Sequence, residues 1–218
     1  LNSQQKMIPA SLTKLAVLAA LQEHYPWDWK FKNQIFAKSL PQKNVLKEAI
    51  CFKASGDPSF VSEQMWVLVN HLSRKNIKSI PAGIIIDTSV HNGNKKDQGR
   101  QNTKSSRAYN APVSAASFNW NAVNIYIQPG DKAGELASVY LDPHSDYFVL
   151  ENKIKTLKGK VNNLKHSIQL DREAVGNKMK LKLSGKIGIQ NQEELIFRSV
   201  SRPAVWLAQN LRAFLMRR

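Results

Sequence analysis

Residues 7–22 read MIPASLTKLAVLAALQ, and they place a serine and a lysine three positions apart at the head of an apolar run. The run predicts a helix from Ser11 to about Tyr25, and because leucine, valine and alanine cover nearly every face, we expect it to be buried on all sides. Residues i and i+3 share one face of a helix, so the amine of Lys14 can reach the hydroxyl of Ser11.

Two interpretations of this Ser-x-x-Lys pair are open. In the first, Ser11 is a nucleophile: the helix start supplies free N–H groups and a positive dipole, and burial disfavours the ammonium form of Lys14, which then acts as a base. In the second, Ser11 caps the helix and Lys14 is an exposed first-turn lysine. The spacing alone is weak, since chance supplies about one such pair in a chain of this length. A second pair, Ser3 and Lys6, lies in a polar stretch without a helix signal.

Composition predicts a folded chain. Its 218 residues suffice for one large domain or two small ones, and 42% are hydrophobic, enough for a core. No apolar run is long enough to span a bilayer and no signal peptide is visible, so the compartment stays open. The single cysteine, Cys51, has no disulfide partner or metal-ligand companions and is interpreted as a small buried hydrophobe.

The chain is strongly basic. Lysine and arginine number 32 against 16 acidic residues, a net charge of +16, which attracts polyanions such as nucleic acid, anionic lipid or anionic wall polymer. The basic residues are scattered over 92–107, 153–160 and the C-terminus, without a stacking platform of aromatic residues. We therefore interpret them as solvated surface and expect no specific nucleic-acid site. The five histidines, His91 and His144 among them, lack metal-ligand spacing, and no metal or cofactor is expected.

Hydrophobic periodicity predicts a mixed α/β first half and a β-rich second half. The predicted elements of the first half are strands within 31–40 and 45–54, a turn, a helix over about 63–75 capped by Ser62, a strand within 81–89 and a polar loop over 91–107. Short alternating segments broken by Pro, Gly, Asp and Asn then predict an antiparallel β module over 119–200. A final helix begins near Pro203, and its apolar stripe consists of Val205, Leu207, Ala208, Leu211 and Leu215.

Several blocks of the sequence resemble one family. In order, the blocks are IPASLTKLAVLAAL (8–21), SGDPSF (55–60), GIIIDTSV (83–90), YNAPVSAASFNWNAV (109–123) and FRSVSRPAVWLAQNLRAFL (197–215). From about Met7 to the C-terminus they resemble penicillin-binding proteins of the type 4 class. These are penicillin-recognising serine peptidases of the bacterial periplasm, D-alanyl-D-alanine carboxypeptidases/endopeptidases that process peptidoglycan.

The resemblance implies a fold and a site. The fold would be an α/β (α+β) peptidase domain of the penicillin-binding/serine β-lactamase-like kind. Ser11 would be the acylated nucleophile and Lys14 the general base, and Tyr109 matches a substrate-binding position. The expected partners are peptidoglycan peptide stems and β-lactam antibiotics, with peripheral association to an anionic wall or membrane surface and no cofactor or metal.

The resemblance also implies a domain organisation, because the family interrupts its peptidase domain with large insertions. Residues 1–31 would be the N-terminal part of the peptidase domain, 32–118 an inserted α/β domain and 119–200 the inserted antiparallel β module. Residues 201–218 would be a helix that returns to the inserted α/β domain.

Two family motifs lack clear counterparts. A Ser-x-Asn match at Ser117–Asn119 opens the β module and is interpreted as coincidental, and the stretch from Lys155 to Leu157 lacks the glycine of Lys-Thr-Gly. We expect both motifs beyond Arg218, which makes the chain a truncated piece that is inactive by itself.

The specificity loop also departs from the family. A Trp-Pro-x-x-Asp-like segment, whose acid binds the free amine of the peptidoglycan diamino acid, is missing before Tyr109, and Asp97 does not align with that acid. We therefore expect weak recognition of the amine.

An alternative from another class stays open: a non-catalytic basic cell-wall-binding module that keeps the family fold. Nucleic-acid binding is a third class, which rests on charge alone. The sequence does not predict the preference between carboxypeptidase and endopeptidase activity, nor the oligomeric state.

The scattered charge leads to a prediction about wall binding. We expect binding to purified sacculi that fades as salt rises, because exposed charges further apart than about 8–10 Å are screened near physiological salt. Co-sedimentation with sacculi and with DNA over a salt series measures this. Sequence-selective DNA binding that persists at physiological salt would contradict it.

Overall fold

The computed structural model of the protein describes residues 4–91, 93 and 105–218. They form two compact units, Leu1–Phe31 and Lys32–Arg218, and each is described by itself. Ser3, Asp97 and most of the predicted polar loop lie outside the described residues.

The first unit contains the predicted helix. A 3₁₀ turn, Ala10–Leu12, leads into helix α1, Thr13–His24, and the chain becomes extended at Tyr25, ahead of Pro26. The predicted burial of this helix is wrong for this unit, because every described residue up to Phe31 is exposed. Residues 4–31 supply no second helix or sheet that could cover its apolar faces.

The second unit begins with a three-stranded sheet and one helix. In chain order these elements are β1 (Gln34–Phe36), β2 (Ile50–Lys53), α2 (Ser62–Ser73) and β3 (Ile84–Asp87). Strand β2 pairs antiparallel with β1 and parallel with β3, and α2 forms the crossover between the two parallel strands. The predicted strands and helix are confirmed, although Cys51 is only half-buried on β2.

Helix α2 starts one residue earlier than predicted. Its N-cap is Val61, whose N–H donates to the side-chain oxygen of Gln64 at 3.2 Å. Ser62 is not the cap, because its N–H and hydroxyl are both bonded to the amide of Asn119.

The β module contains two further three-stranded sheets and a single helical turn. Its elements are β4 (Ala122–Gln128), β5 (Ser138–Asp142), β6 (Phe148–Leu157), α3 (Leu164–Ser167), β7 (Ile168–Val175), β8 (Lys178–Gly188) and β9 (Glu194–Ser199). The strand orders are β5-β4-β9 and β6-β8-β7.

One strand pair of the module differs from the antiparallel prediction. Strands β4–β5, β4–β9 and β7–β8 pair antiparallel, but β6 and β8 run parallel over ten residues, from Phe148 opposite Met179 to Leu157 opposite Gly188. The chain leaves β6, forms the outer strand β7 first, and returns through the two-residue turn Gly176–Asn177 to place β8 in the centre. Gly176 has a φ of +57°, which glycine adopts readily.

The last helix, α4 (Pro203–Met216), packs on β3 and α2. Its predicted start at Pro203 is confirmed. The predicted apolar stripe is only partly right, because the most buried positions include Trp206 and Asn210, whereas Val205 and Ala208 are half-buried.

A chain of buried aromatic rings links the first sheet of this unit to the β module. Adjacent rings in it have centroids 4.9–6.0 Å apart. The rings belong to Phe52, Phe60, Phe118, Trp206, Tyr147 and Phe148. Trp206 contacts three of them and donates its Nε1–H to the carbonyl of Phe118 at 3.1 Å. It is fully buried, so removing its ring leaves a cavity where the two parts of the unit meet.

We expect Trp206→Ala to lower the free energy of unfolding by about 3–5 kcal/mol, because a large aromatic side chain leaves a packed core. The matched control is Trp66→Ala, whose ring on α2 is 56% exposed and contacts Arg218, with an expected loss below about 1 kcal/mol. Denaturant unfolding measures both variants. Equal losses would contradict the role assigned to Trp206.

Candidate active site

Ser11 and Lys14 lie together at the start of the first helix. Ser11 is the middle residue of the 3₁₀ turn and Lys14 is the second residue of α1. Side chains three positions apart in such a turn lie on the same side of it. Both side chains are exposed, and no hydrogen bond joins them in the described part of the chain.

Ser11 does not cap the helix. The cap positions of the 3₁₀ turn and of α1 are Pro9 and Leu12, and neither makes a side-chain capping bond. Thr13 instead donates its hydroxyl to the carbonyl of Ala10 at 2.9 Å. The hydroxyl of Ser11 is therefore not committed to the first turn, where free N–H groups favour negative charge.

The backbone beside Ser11 is unusual. Ala10 has a φ of +47°, a left-handed conformation that few residues other than glycine adopt. Such residues cost of order 1–3 kcal/mol and occur more often at functional sites than elsewhere. The turn changes the direction of the chain immediately before the candidate nucleophile.

Tyr109, the third predicted site residue, belongs to the unit Lys32–Arg218. It lies in a 3₁₀ turn, Ala108–Asn110, that packs against β9, and its side chain is 59% exposed. Tyrosine combines an apolar ring with a polar hydroxyl, a combination common at binding surfaces. Its role in binding substrate stays a prediction.

The two partial motif matches occupy structural positions. The amide of Asn119, in the Ser-x-Asn match, accepts the N–H of Ser62 and donates to its hydroxyl, both at 3.0 Å. Thr156, in the partial Lys-Thr-Gly match, is fully buried in β6 and accepts the N–H of Gly130 at 2.9 Å. These bonds explain both residues without a catalytic role.

The described residues contain no group of three or more His, Cys, Asp or Glu that could hold a metal ion. Among the helices of the described ranges, none has the length and hydropathy needed to cross a membrane.

The structure brings together three arginines that the sequence analysis did not identify as a cluster. Arg107, Arg172 and Arg198 come from three separate segments and meet beside β9. No spacing pattern links them, because the contacts that join them are long-range.

Comparison with known proteins places the chain in a family. The model of the D-Ala-D-Ala carboxypeptidase 3 (S13) family matches residues 1–218. The chain belongs to this family. The predicted resemblance to penicillin-binding proteins of the type 4 class is thereby confirmed.

Individual relatives are distant and longer. The chain is 22% identical over 138 residues to the D-alanyl-D-alanine carboxypeptidase DacB of Haemophilus influenzae, covering 63% of this chain and 29% of that protein. The crystal structure of penicillin binding protein 4 (dacB) from Haemophilus influenzae matches with a TM-score of 0.74 and 20% identity, over 97% of this chain and 46% of that chain. The same protein complexed with a novel β-lactam matches with a TM-score of 0.67 and 18% identity, over 97% and 44%.

These matches confirm the predicted fold class. They also show that the chain spans less than half the length of each of these relatives.

The structural role of Asn119 can be tested directly. We expect Asn119→Ala to lower the free energy of unfolding by about 1–2 kcal/mol, because Ser62 at the start of α2 loses both of its bonds to the amide. The control Asn119→Asp keeps an acceptor for the N–H of Ser62 and is expected to lose less. Unfolding free energies that are equal for Asn119→Ala and the wild type would refute this role.

Proposed function

We propose that the protein is a serine-type D-Ala-D-Ala carboxypeptidase/endopeptidase that processes peptidoglycan in the bacterial periplasm through an acyl-enzyme at Ser11. The observation that carries the proposal is the Ser11–Lys14 pair at a helix start, within a chain that the family model matches from end to end. The fold and the relatives support it. The proposed domain organisation is the one that the resemblance implies, with residues 1–31 in the peptidase domain and the remainder in its insertions.

The proposed reaction begins with proton transfer inside the pair. The neutral amine of Lys14 takes the proton of the Ser11 hydroxyl while Oγ attacks the carbonyl carbon of the D-Ala–D-Ala bond. The free N–H groups at the start of the helix favour the negative charge that develops on the carbonyl oxygen.

Two bond changes complete the turnover. Collapse of the tetrahedral intermediate breaks the C–N bond, and the leaving amine takes a proton from the lysine ammonium, which leaves an ester on Ser11. Water then attacks the ester while Lys14 accepts a proton from it. As the C–O bond to Ser11 breaks, Oγ takes that proton from the lysine ammonium, which restores the serine and the neutral amine. A β-lactam would enter the same first step, because its strained amide presents an equivalent carbonyl.

Lys14 can act as a base only while it is neutral. A dry, apolar covering favours the neutral form of an amine. The apolar side chains of α1, among them Leu15, Leu18 and Leu21, are suited to packing beneath such a covering.

The proposal predicts the kinetics of D-alanine release from a peptidoglycan pentapeptide by the complete gene product. We expect Ser11→Ala to reduce the rate by about 10³-fold or more, because the nucleophile is lost. We expect Lys14→Ala and Lys14→Arg to reduce it by about 10²–10⁴-fold alike, because a permanently charged guanidinium cannot serve as a base.

The matched control is Ser3→Ala, which removes the serine of the second Ser-x-x-Lys pair and should leave the rate unchanged. A rate in Ser11→Ala that equals the wild type would refute the assignment. Sacculus binding by a wild-type protein that releases no D-alanine would favour the non-catalytic wall-binding module.

A further inference from the structure

Three arginines converge where the two sheets of the β module meet. The segment before Tyr109 runs along β9, where the N–H of Ser199 donates to the carbonyl of Ser106 at 2.9 Å and Arg107 pairs with Arg198 across an antiparallel bridge. Arg172 reaches over from β7, and its Nη1 donates to the carbonyl of Ser199 at 2.5 Å.

These arginines lie close together, and none of them forms an ion pair with a carboxylate of the described residues. Among the described residues, the acidic side chains that form ion pairs do so elsewhere: Glu151 and Glu173 pair with lysines, and Asp146 pairs with Arg212. Asp171 and Glu173 flank Arg172 on β7, but side chains alternate along a strand and theirs point to the opposite face.

Burial makes this arrangement costly. It lowers the pKa of Arg172 and of Arg198, and for Arg198 the neighbouring charges of Arg107 and Arg172 lower it further. The Nε atom of Arg198 is buried and has no hydrogen-bond partner within the described part of the chain. An unsatisfied buried donor among like charges lowers the stability of the fold. A bound anion would offset this loss by accepting the hydrogen bond and neutralising the charge.

We propose that Arg107, Arg172 and Arg198 form a binding site for an oxyanionic group, a carboxylate or a phosphate. The planar guanidinium presents paired donors that match the oxygens of either group. Three converging positive charges would hold such an oxyanion more tightly than the lone surface lysines that supply most of the net charge.

The position of the site suggests what its ligand carries. Tyr109 follows Arg107 by two residues, in the turn that packs against β9. Resting on the proposed function, we infer that the oxyanion is a carboxylate of the peptidoglycan stem peptide, with a phosphate-bearing polymer as the other source of the same chemistry.

The test is a binding titration in the Ser11→Ala background at a constant ionic strength of about 0.15 M. The probes are inorganic phosphate, a stem-like peptide with a free side carboxylate, and the same peptide as its carboxamide. We expect phosphate and the carboxylate peptide to bind, and Arg107→Met and Arg198→Met each to weaken that binding by about tenfold. The control Lys158→Met removes one exposed charge elsewhere and should change affinity by less than about twofold.

A stability readout separates binding from a structural role. Without anion, the denaturation midpoint of Arg198→Met should be no lower than that of the wild type, because an apolar side chain replaces an unpaired charge. Added phosphate should raise the midpoint of the wild type but not that of Arg198→Met. Arg107 is exposed, so its variant should fold even if that of Arg198 does not.

The proposal would be overturned if Arg107→Met and Arg198→Met both bound the probes as tightly as the wild type. It would also be overturned if the carboxamide peptide bound as well as the carboxylate peptide. Stronger binding of the peptide assigns the site to the stem, and stronger binding of phosphate assigns it to a polymer; either supports an oxyanion site. Failure of the proposed function would appear differently, as an absence of D-alanine release in the wild type.

Discussion

The buried aromatic chain from Phe52 to Trp206 is the contact on which the unit Lys32–Arg218 depends. It begins on the first sheet and ends on the last helix, and the β module lies between these two points in the sequence. Because the ring of Trp206 also contacts Tyr147 and Phe148, one side chain fixes both parts of the unit. The buried apolar core is continuous through this unit, and the turn containing Tyr109 packs against β9.

Local patterns in the sequence predict most elements of this unit. The 3.6-residue period indicates α2 and α4, and alternation indicates the strands of the module, because those patterns report which face of an element is buried. Long-range partners decide the remainder. Helix α2 begins at Ser62 because the amide of Asn119, distant in sequence, bonds to it. The parallel pairing of β6 with β8 depends on the order in which three strands are laid down, which alternation does not encode.

The candidate site likewise has features that local sequence indicates and features that depend on long-range packing. The spacing of Ser11 and Lys14 is local, so the sequence singles out the pair as a candidate, but the family resemblance is needed to prefer it over the Ser3–Lys6 pair. The left-handed backbone at Ala10 is visible only in the structure. Helix α1 is exposed although its sequence is apolar on nearly every face, because residues 4–31 supply no second element that packs on it. Arg172 and Arg198 come together only through the packing of β7 against β9, so charge counting interprets them as ordinary solvated surface.

The central claim is that Ser11 forms the acyl-enzyme. Its most direct test is to expose the complete gene product to benzylpenicillin, digest it, and locate the adduct by peptide mass spectrometry. The account predicts one stoichiometric adduct, on the peptide containing Ser11. An adduct on Ser3 or any other residue, or the same adduct mass on Ser11→Ala protein, would contradict it.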